Sequence, residues 1–142
     1  MSELYHQALE AAQTCDVSTP PDSLVLYSVS FLPTKENKEQ ALRFIDNNPD
    51  KMMIDHTPCG EKLIAMGLDG PNTHLSDEET AHIWCVASKR LIEQARGNVT
   101  AFVKNADPRS VFRRMELPTI LENPEIKTIN GKDKYKFAET FR

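Results

Sequence analysis

The chain has 142 residues, of which 39% are hydrophobic and 27% charged, and these values are typical of one soluble domain with its own core. Its net charge of −4 and isoelectric point near 5.6 argue against nucleic-acid binding as the main function, and no apolar run approaches the roughly 18 residues of a membrane span. We therefore expect a single domain over residues 1–142 with neither a nucleic-acid nor a membrane partner.

The first predicted element is a helix over residues 3–15, within an N-terminal helical portion at 1–20. Its sequence "MSELYHQALEAAQTC" is polar and lacks the apolar core of a secretory signal peptide. We therefore expect a cytoplasmic protein, or one delivered into a target-cell cytoplasm without a classical signal peptide. "STPPDS" (18–23) breaks the chain after this helix, because proline lacks a donor and biases the preceding residue to extended forms.

A strand and a second helix are predicted next. "SLVLYSVSF" (23–31) is rich in β-branched and aromatic residues, which is typical of a buried strand. "TKENKEQALRFIDNN" (34–48) predicts a helix capped by Thr34. Its apolar stripe would consist of Ala41, Leu42 and Ile45. Residues 50–60 predict a short strand or extended segment that ends at a Pro/Gly turn, and residues 71–76 predict a loop.

The clearest helix signal lies between residues 76 and 97. Ser76 and Glu79 form a capping box, in which each side chain accepts a hydrogen bond from the other residue's backbone N–H. Gly97 predicts the end of this helix, since glycine is a common C-terminal stop. Small and apolar residues recur between them at helical spacing, namely Ala81, Trp84, Ala87 or Ser88, Leu91 and Ala95.

The C-terminal third predicts three further extended segments. They cover residues 98–104, residues 110–118 up to Pro118, and residues 125–131 with an Asn-Gly turn. The charged residues 132–142 are expected to form a tail that is only partly ordered. Because helices alternate with short buried strands, the sequence predicts an α/β domain.

The cysteines and histidines do not predict a metal site. Cys15, Cys59 and Cys85 are odd in number and lack the close spacing of metal ligands. No HxxxH or CxxC pattern occurs among them and the histidines, which are His6, His56, His74 and His82. Free thiols of this kind fit a reducing compartment.

Trp84 and Ser88 are the first candidates for a functional site. They lie four residues apart and therefore share one helical stripe, which can form the wall of a ligand pocket. Taken alone, a tryptophan more often packs in a core, because large aromatic side chains dominate core burial.

Two acidic positions are further candidates. Glu116 stands between Met115 and Leu117 in a predicted strand, so alternation places its side chain on the opposite face from theirs. A lone Glu in a strand is more often exposed to solvent than functional. Asp55 precedes "HTPCG", where an acid can simply cap a turn, and its neighbour His56 would point to the opposite face of a strand.

The order of the segments adds to these single residues. It runs "LVLYS", an acid in "MIDHTPCG", "IWCVAS" on a helix, the strand "NVTAFVKNA", then "SVFRRMEL" and "NPEIKTI". Over about residues 23–130 this order resembles the ADP-ribosyl cyclase / NAD glycohydrolase family, which includes animal ecto-enzymes acting on NAD and shorter microbial relatives. In the animal enzymes an aromatic-Ser pair ends a strand, a Thr-Leu-Glu-Asp-Thr segment follows, and a helix carries Trp-x-x-x-Ser. A Ser-x-Phe-Gly-Ser-Val-Glu segment then closes the site.

The resemblance implies one ADP-ribosyl cyclase-like, NAD-cleaving domain of a short and divergent kind, with a small, mostly parallel sheet flanked by helices. The chain departs from the family's pattern at several positions. Tyr27 stands where the animal enzymes carry a Trp, Asp55 where they carry a Glu, and Val29 where a phosphate-contacting Arg lies. "FRRME" replaces the small residues before the catalytic Glu, and the family's disulfides are missing. These departures bear on cyclisation and on phosphate binding more than on cleavage.

The family's chemistry implies a role for each matching residue, with NAD or NADP as the substrate and no separate cofactor. The leaving nicotinamide is already cationic, so the site needs one carboxylate under the ribose rather than an acid–base pair, and Glu116 would be this catalytic group. Trp84 would stack on the nicotinamide, and Ser88 would hydrogen-bond the ribose or a phosphate. Tyr27 would form the opposite aromatic wall, and Asp55 would hold the carboxamide or tune hydrolysis against cyclisation. Ser28, Ser110 and Phe112 would line the phosphate side, and, judged from charge alone, Arg113 or Arg114 would compensate for the absent Arg.

Three functions remain open at this stage. Hydrolysis of NAD to nicotinamide and ADP-ribose, with or without cyclisation, would be destructive inside a cell and fits a toxin or defence effector with a cognate inhibitor. A ribonuclease toxin using His56 is a second class, although the acidic composition and the lack of a paired catalytic His weaken it. A catalytically inactive module of the same fold, binding NAD or a cyclic nucleotide, is the third.

Overall fold

The computed structural model describes residues 3–28, 35–68 and 74–141. Val29, the predicted cap Thr34 and part of the predicted loop at 71–76 lie outside the described residues. The helices are α1 (Glu3–Thr14), α2 (Glu36–Asn47), α3 (Pro58–Ala65), α4 (Asp77–Gln94), α5 (Leu117–Glu122) and α6 (Lys134–Glu139). The strands are β1 (Val25–Tyr27), β2 (Gly97–Phe102), β3 (Ile126–Ile129) and β4 (Lys132–Asp133). A 3-10 turn (Ile54–His56) precedes α3, and a π-helical segment (Phe112–Glu116) leads into α5.

The four strands form one sheet in the order β1-β2-β3-β4. β2 is parallel to β1 and to β3, whereas β3 and β4 form an antiparallel hairpin. The predicted Asn-Gly turn joins this hairpin, with Asn130 at φ 54° and Gly131 at φ 76°, as a tight two-residue turn requires. The prediction of an α/β domain with a small, mostly parallel sheet flanked by helices is confirmed.

The core lies between the sheet and the long helix α4. α4 buries Ile83, Ala87, Leu91 and Ile92. α1 packs against it with a face of small residues, Ala8, Ala11 and Ala12, which lets the two helices approach closely. Full burial of each large aliphatic side chain contributes roughly 1.5–3 kcal/mol, so Ile83, Leu91 and Ile92 make α4 a main source of stability.

Residues 50–60 do not form the predicted extended segment. Met52 forms an isolated parallel bridge with Leu24, and the chain then enters the 3-10 turn and α3. Thr57 caps α3 by accepting a hydrogen bond from the Gly60 N–H at 3.0 Å. Pro58 fits the first helical position because the N–H it lacks would have no helical partner there. The Pro/Gly pair therefore begins a helix instead of ending a strand.

The prediction of an extended segment at residues 110–118 is also wrong. Phe112, Glu116 and Ile120 recur every four residues and are all buried, which is the pattern of a helix face. Pro118 lies in the first turn of α5, where a proline is tolerated. Glu116 is directed inward by this helical spacing, not by strand alternation.

Three smaller predictions need correction. Leu42 is 41% exposed, while Ala41 beside it is buried. α4 ends before Gly97, which instead begins β2 with a φ of 83°. Residues 132–141 are not an irregular tail, because they include β4 and α6. Lys134 anchors them, since its buried ammonium donates hydrogen bonds to two carbonyls at the end of α5.

Candidate active site

A cavity of about 570 Å³ opens at the carboxyl end of β1, between α4, the 3-10 turn and the π-helical segment. Open α/β sheets bind ligands outside the carboxyl ends of their strands, and this volume suits a small organic molecule. Seven of the ten predicted site residues line the cavity, namely Tyr27, Ser28, Asp55, Trp84, Ser88, Phe112 and Glu116.

One wall of the cavity is a stripe along α4. The predicted capping box starts this helix, with Ser76 accepting from the Glu79 N–H at 3.1 Å. Trp84 is half-buried, and its Nε1 donates to the Leu68 carbonyl at 2.9 Å, which fixes the orientation of the ring. Ser88 follows one turn later and is 8% exposed. The wall therefore presents an indole and a hydroxyl in a fixed arrangement.

Glu116, the last residue of the π-helical segment, lines the cavity. Its side chain is buried, and no group in residues 3–28, 35–68 or 74–141 donates a hydrogen bond to its carboxylate or forms an ion pair with it. Burial raises the pKa of Glu116 from its ordinary 4.5 to about 7, because the charged form loses its hydration without gaining a partner. A buried, unpaired carboxyl in a cleft is typical of a functional site.

Tyr27 and Asp55 face the same cavity. Burial of Tyr27, and then the charges of Asp55 and Glu116, raise the pKa of the phenol. Asp55 itself is exposed on the 3-10 turn. Two carboxyl groups therefore face one space beside three aromatic rings, those of Tyr27, Trp84 and Phe112, and this arrangement favours a planar cation.

Asp55 is positioned by the close contact of the 3-10 turn with α3. A Cβ on Gly60 would overlap the Ile54 carbonyl oxygen and would lie 2.9 Å from the Asp55 Cα, so only glycine fits. The Thr57 hydroxyl donates to the same Ile54 carbonyl at 2.7 Å. The turn that carries Asp55 is thus held to the start of α3.

Asn37, which the sequence did not single out, fixes the strand ends beside the cavity. It is 3% exposed, and its amide nitrogen donates to the carbonyls of Ser28 at 3.0 Å and Lys104 at 2.8 Å. Its side-chain oxygen accepts from the Lys104 N–H at 3.1 Å. One side chain in α2 therefore joins the ends of β1 and β2 and positions Ser28.

Several cavity residues were not predicted. Thr80 lies one turn before Trp84, so the i, i+4 stripe is a signal that identifies it. Its buried Oγ1 has no hydrogen-bond partner among the described residues. Cys85 also lines the cavity, and burial, and then the charge of Glu116, raise the pKa of its thiol. Lys38 reaches the cavity from α2, and no sequence pattern connects it to the other lining residues.

Three predicted substrate-binding residues do not line the cavity. Ser110 accepts a hydrogen bond from the Arg113 N–H at 3.2 Å and so starts the π-helical segment. The Arg113 guanidinium lies 5.1 Å from the centre of the Phe141 ring and donates to the Phe141 carbonyl. Arg114 donates to the Arg109 carbonyl at 2.7 Å. Neither arginine lines the cavity, although Arg114 is close enough for its charge to oppose the rise in the pKa of the Cys85 thiol.

The described part of the chain includes the three cysteines and His56, which bear on metal binding and on ribonuclease chemistry. No group of three or more metal-ligating side chains occurs in it, and its three cysteines are free. His56 is exposed outside the cavity, and its Nδ1 accepts from the Met53 N–H at 3.1 Å. Among the described helices, none has both the length and the apolar character of a membrane span.

The fold matches solved structures of CD38 and ADP-ribosyl cyclase. Porcine CD38 complexed with a covalent intermediate, ribo-F-ribose-5′-phosphate, aligns with a TM-score of 0.57 and 18% identity, over 88% of this chain and 66% of that chain. A point mutant of ADP-ribosyl cyclase aligns with a TM-score of 0.53 and 15% identity, over 78% of this chain and 48% of that chain. A CD38 structure described as a conformationally flexible covalent enzyme-substrate complex aligns with a TM-score of 0.52 and 13% identity, over 95% of this chain and 82% of that chain.

No protein-family model matches the sequence, and no curated protein sequence matches it either. The chain spans just under two thirds of the porcine CD38 chain and about half of the cyclase chain. At these identities the comparisons establish the fold, which is a distant ADP-ribosyl cyclase-like fold.

Proposed function

We propose that the protein is an NAD glycohydrolase that cleaves the bond between nicotinamide and ribose and releases nicotinamide and ADP-ribose. The observation that carries this proposal is the buried Glu116 carboxyl, which has no partner among the described residues and shares a cavity with the Trp84 indole. The ADP-ribosyl cyclase-like fold supports it, since the chain would then be a short, distant relative of that family.

In the proposed reaction the electron pair of the C–N bond moves onto the nicotinamide nitrogen, and the ring leaves as a neutral molecule. The ribose carbon becomes an oxocarbenium-like cation, as in glycoside hydrolysis. Glu116 stabilises this cation electrostatically, and its effect is strong because the cavity shields it from water. Water then adds to the ribose carbon and loses a proton to solvent.

The other cavity residues would bind the two ends of the nicotinamide riboside. Trp84 stacks on the cationic ring, a contact that contributes about 0.5–2 kcal/mol. Tyr27 supplies the facing aromatic wall, and Asp55 holds the carboxamide. Ser88, one turn beyond Trp84, hydrogen-bonds the ribose.

The fate of the ribosyl cation depends on which nucleophile reaches it. Water gives ADP-ribose, whereas the adenine of the same molecule would give a cyclic product. We propose hydrolysis as the main reaction, because Tyr27 and Asp55 replace the Trp and Glu of the cyclising animal enzymes.

An enzyme that consumes NAD without control harms the cell that contains it. This chemistry favours a role as a toxin or a defence effector, and such a protein needs a cognate inhibitor in the cell that makes it. Finding a protein that binds the cavity mouth and blocks nicotinamide release would support this role.

The test is nicotinamide release from NAD by the purified protein, measured by chromatography. Glu116→Gln keeps the size of the side chain and removes its charge, so we expect the rate to fall by about 10²–10³-fold or more. Glu122→Gln is the matched control, because Glu122 lies exposed on α5 and its loss should leave the rate unchanged.

Other outcomes distinguish the remaining functions. Nicotinamide release that survives Glu116→Gln contradicts the mechanism. Binding of NAD without any release by the wild-type protein indicates an inactive nucleotide-binding module. RNA cleavage that is lost on His56→Ala and retained in Glu116→Gln indicates a ribonuclease.

A further inference from the structure

The cavity contains one cationic side chain among its described lining residues, that of Lys38 in α2. Lys38 is exposed, and its ammonium forms no hydrogen bond or ion pair with any residue that the structure describes. The two acidic side chains of the cavity, Asp55 and Glu116, come from the 3-10 turn and the π-helical segment. The cavity therefore has carboxylates supplied by two elements and an ammonium supplied by a third.

The backbone at Lys38 is firmly placed. Its neighbour Asn37 is buried and bonded to the carbonyls of Ser28 and Lys104, at the ends of β1 and β2. Lys38 therefore starts from a fixed point beside the strand ends, and only its flexible side chain has to adjust to a ligand.

The other cations near this cavity do not line it. The guanidinium groups of Arg113 and Arg114 donate to the carbonyls of Phe141 and Arg109. Lys104, at the end of β2, lies 3.7 Å from the Glu36 carboxylate. Among the described residues, Lys38 is thus the cation that lines the cavity and can meet an anion there.

We propose that the Lys38 ammonium binds a phosphate of the substrate, so that the cavity selects a nicotinamide nucleotide over the nucleoside that lacks phosphate. The inference rests on the proposed NAD cleavage and identifies which part of the substrate α2 recognises. A nicotinamide nucleotide has a cationic ring and an anionic phosphate. The aromatic and acidic groups of the cavity attract the cationic ring. Lys38 attracts the phosphate, because lysine binds phosphate as a compact point charge.

The experiment compares two substrates that share the same nicotinamide–ribose bond, NAD and nicotinamide riboside. Lys38→Met should lower kcat/KM for NAD about tenfold, the low end for a lost charge-assisted hydrogen bond, and leave kcat/KM for nicotinamide riboside unchanged. Lys38→Arg keeps the charge and should restore most of the activity on NAD. Lys35→Met is the matched control, because Lys35 is exposed just before α2 and does not line the cavity.

An equal loss with both substrates, or no loss with NAD, would overturn the assignment of Lys38. If the wild-type protein cleaves neither substrate, the test becomes the binding of ADP-ribose, measured by calorimetry. Weaker binding of ADP-ribose by Lys38→Met then supports the phosphate contact although the proposed hydrolysis has failed. Equal binding by wild type and Lys38→Met rejects the contact independently of catalysis.

Discussion

The Glu116 carboxyl is buried at a position where its ionised form is disfavoured, and this determines how the protein should respond to pH. Its pKa of about 7 comes from burial and not from a neighbouring charge, so the proton is lost only near neutrality. The same burial makes the ionised form a strong electrostatic partner for a cation in the cavity. Burial of Glu116 is therefore the cause both of its proposed effect on catalysis and of its cost to the stability of the folded protein.

The pH dependence of activity follows from this. In the proposed mechanism only ionised Glu116 stabilises the ribosyl cation, so kcat/KM for NAD should rise with pH and level off above about 7. The measurement is the rate of nicotinamide release at low NAD concentration between pH 5 and pH 8.5. A flat profile over this range would contradict the assignment of Glu116.

Stability should change in the opposite direction. The native Glu116 retains a proton that the unfolded chain releases from about pH 4.5 upwards, so the free energy of unfolding falls until the pH passes about 7. The difference in pKa corresponds to a loss on the order of 3 kcal/mol. Urea unfolding at pH 5 and pH 8 should show this loss in the wild type and in Glu122→Gln, and a much smaller one in Glu116→Gln.

At the scale of elements, local signals and packing explain which predictions succeeded. α4 begins at a capping box, Ser76 with Glu79, whose hydrogen bonds are local, and the sequence alone was enough to predict it. The turn into α5 has no such signal, and Pro118 suggested a break. The helix forms there because Phe112 and Ile120 are buried in the core at helical spacing.

The candidate site was only partly predictable for the same reason. The order of motifs identified Glu116 as a cavity residue, although its predicted backbone was wrong. Lys38 and Asn37 could not be found from the sequence, because they reach the site through the packing of α2 on the strand ends. Arg113 was assigned from its charge, and the Phe141 ring and carbonyl that engage it lie far along the chain.

Gly60 provides a prediction at this scale. Gly60→Ala would push the 3-10 turn away from α3, which should lower the free energy of unfolding by about 1–3 kcal/mol and raise KM for NAD as Asp55 moves. Gly131→Ala is the control, because Gly131 has a positive φ but open space around it, in the hairpin between β3 and β4. It should lose about 1–2 kcal/mol from backbone strain, with KM unchanged. Urea unfolding and steady-state kinetics measure both effects.

At the scale of the whole molecule, the cavity is lined by elements that are distant from one another in the sequence. A ligand there touches β1, the 3-10 turn, α4 and the π-helical segment at once. The expectation of one domain over residues 1–142 stays a prediction. A ligand that contacts all of these elements should stabilise them together, so thermal unfolding with the ligand can test whether they unfold as one unit.

We expect NAD to raise the melting temperature of the Glu116→Gln variant, which should bind the substrate without consuming it. At a hundred times Kd, the linkage adds about 2.7 kcal/mol, or about 9 °C for a chain of this length. Thermal unfolding with and without NAD gives the shift. The contrary result would be a melting temperature that NAD does not change, at NAD concentrations where binding is detected by an independent method. It would show that NAD binds the folded and the unfolded chain equally well.

The position of Trp84 has one more consequence. It is the chain's single tryptophan, and it lies in the cavity with its Nε1 fixed to Leu68. Nearly all indole emission of the protein therefore arises from the wall where the nicotinamide ring is expected to stack. Occupancy of the cavity should quench that fluorescence directly, so the native protein carries its own optical probe and needs no attached label.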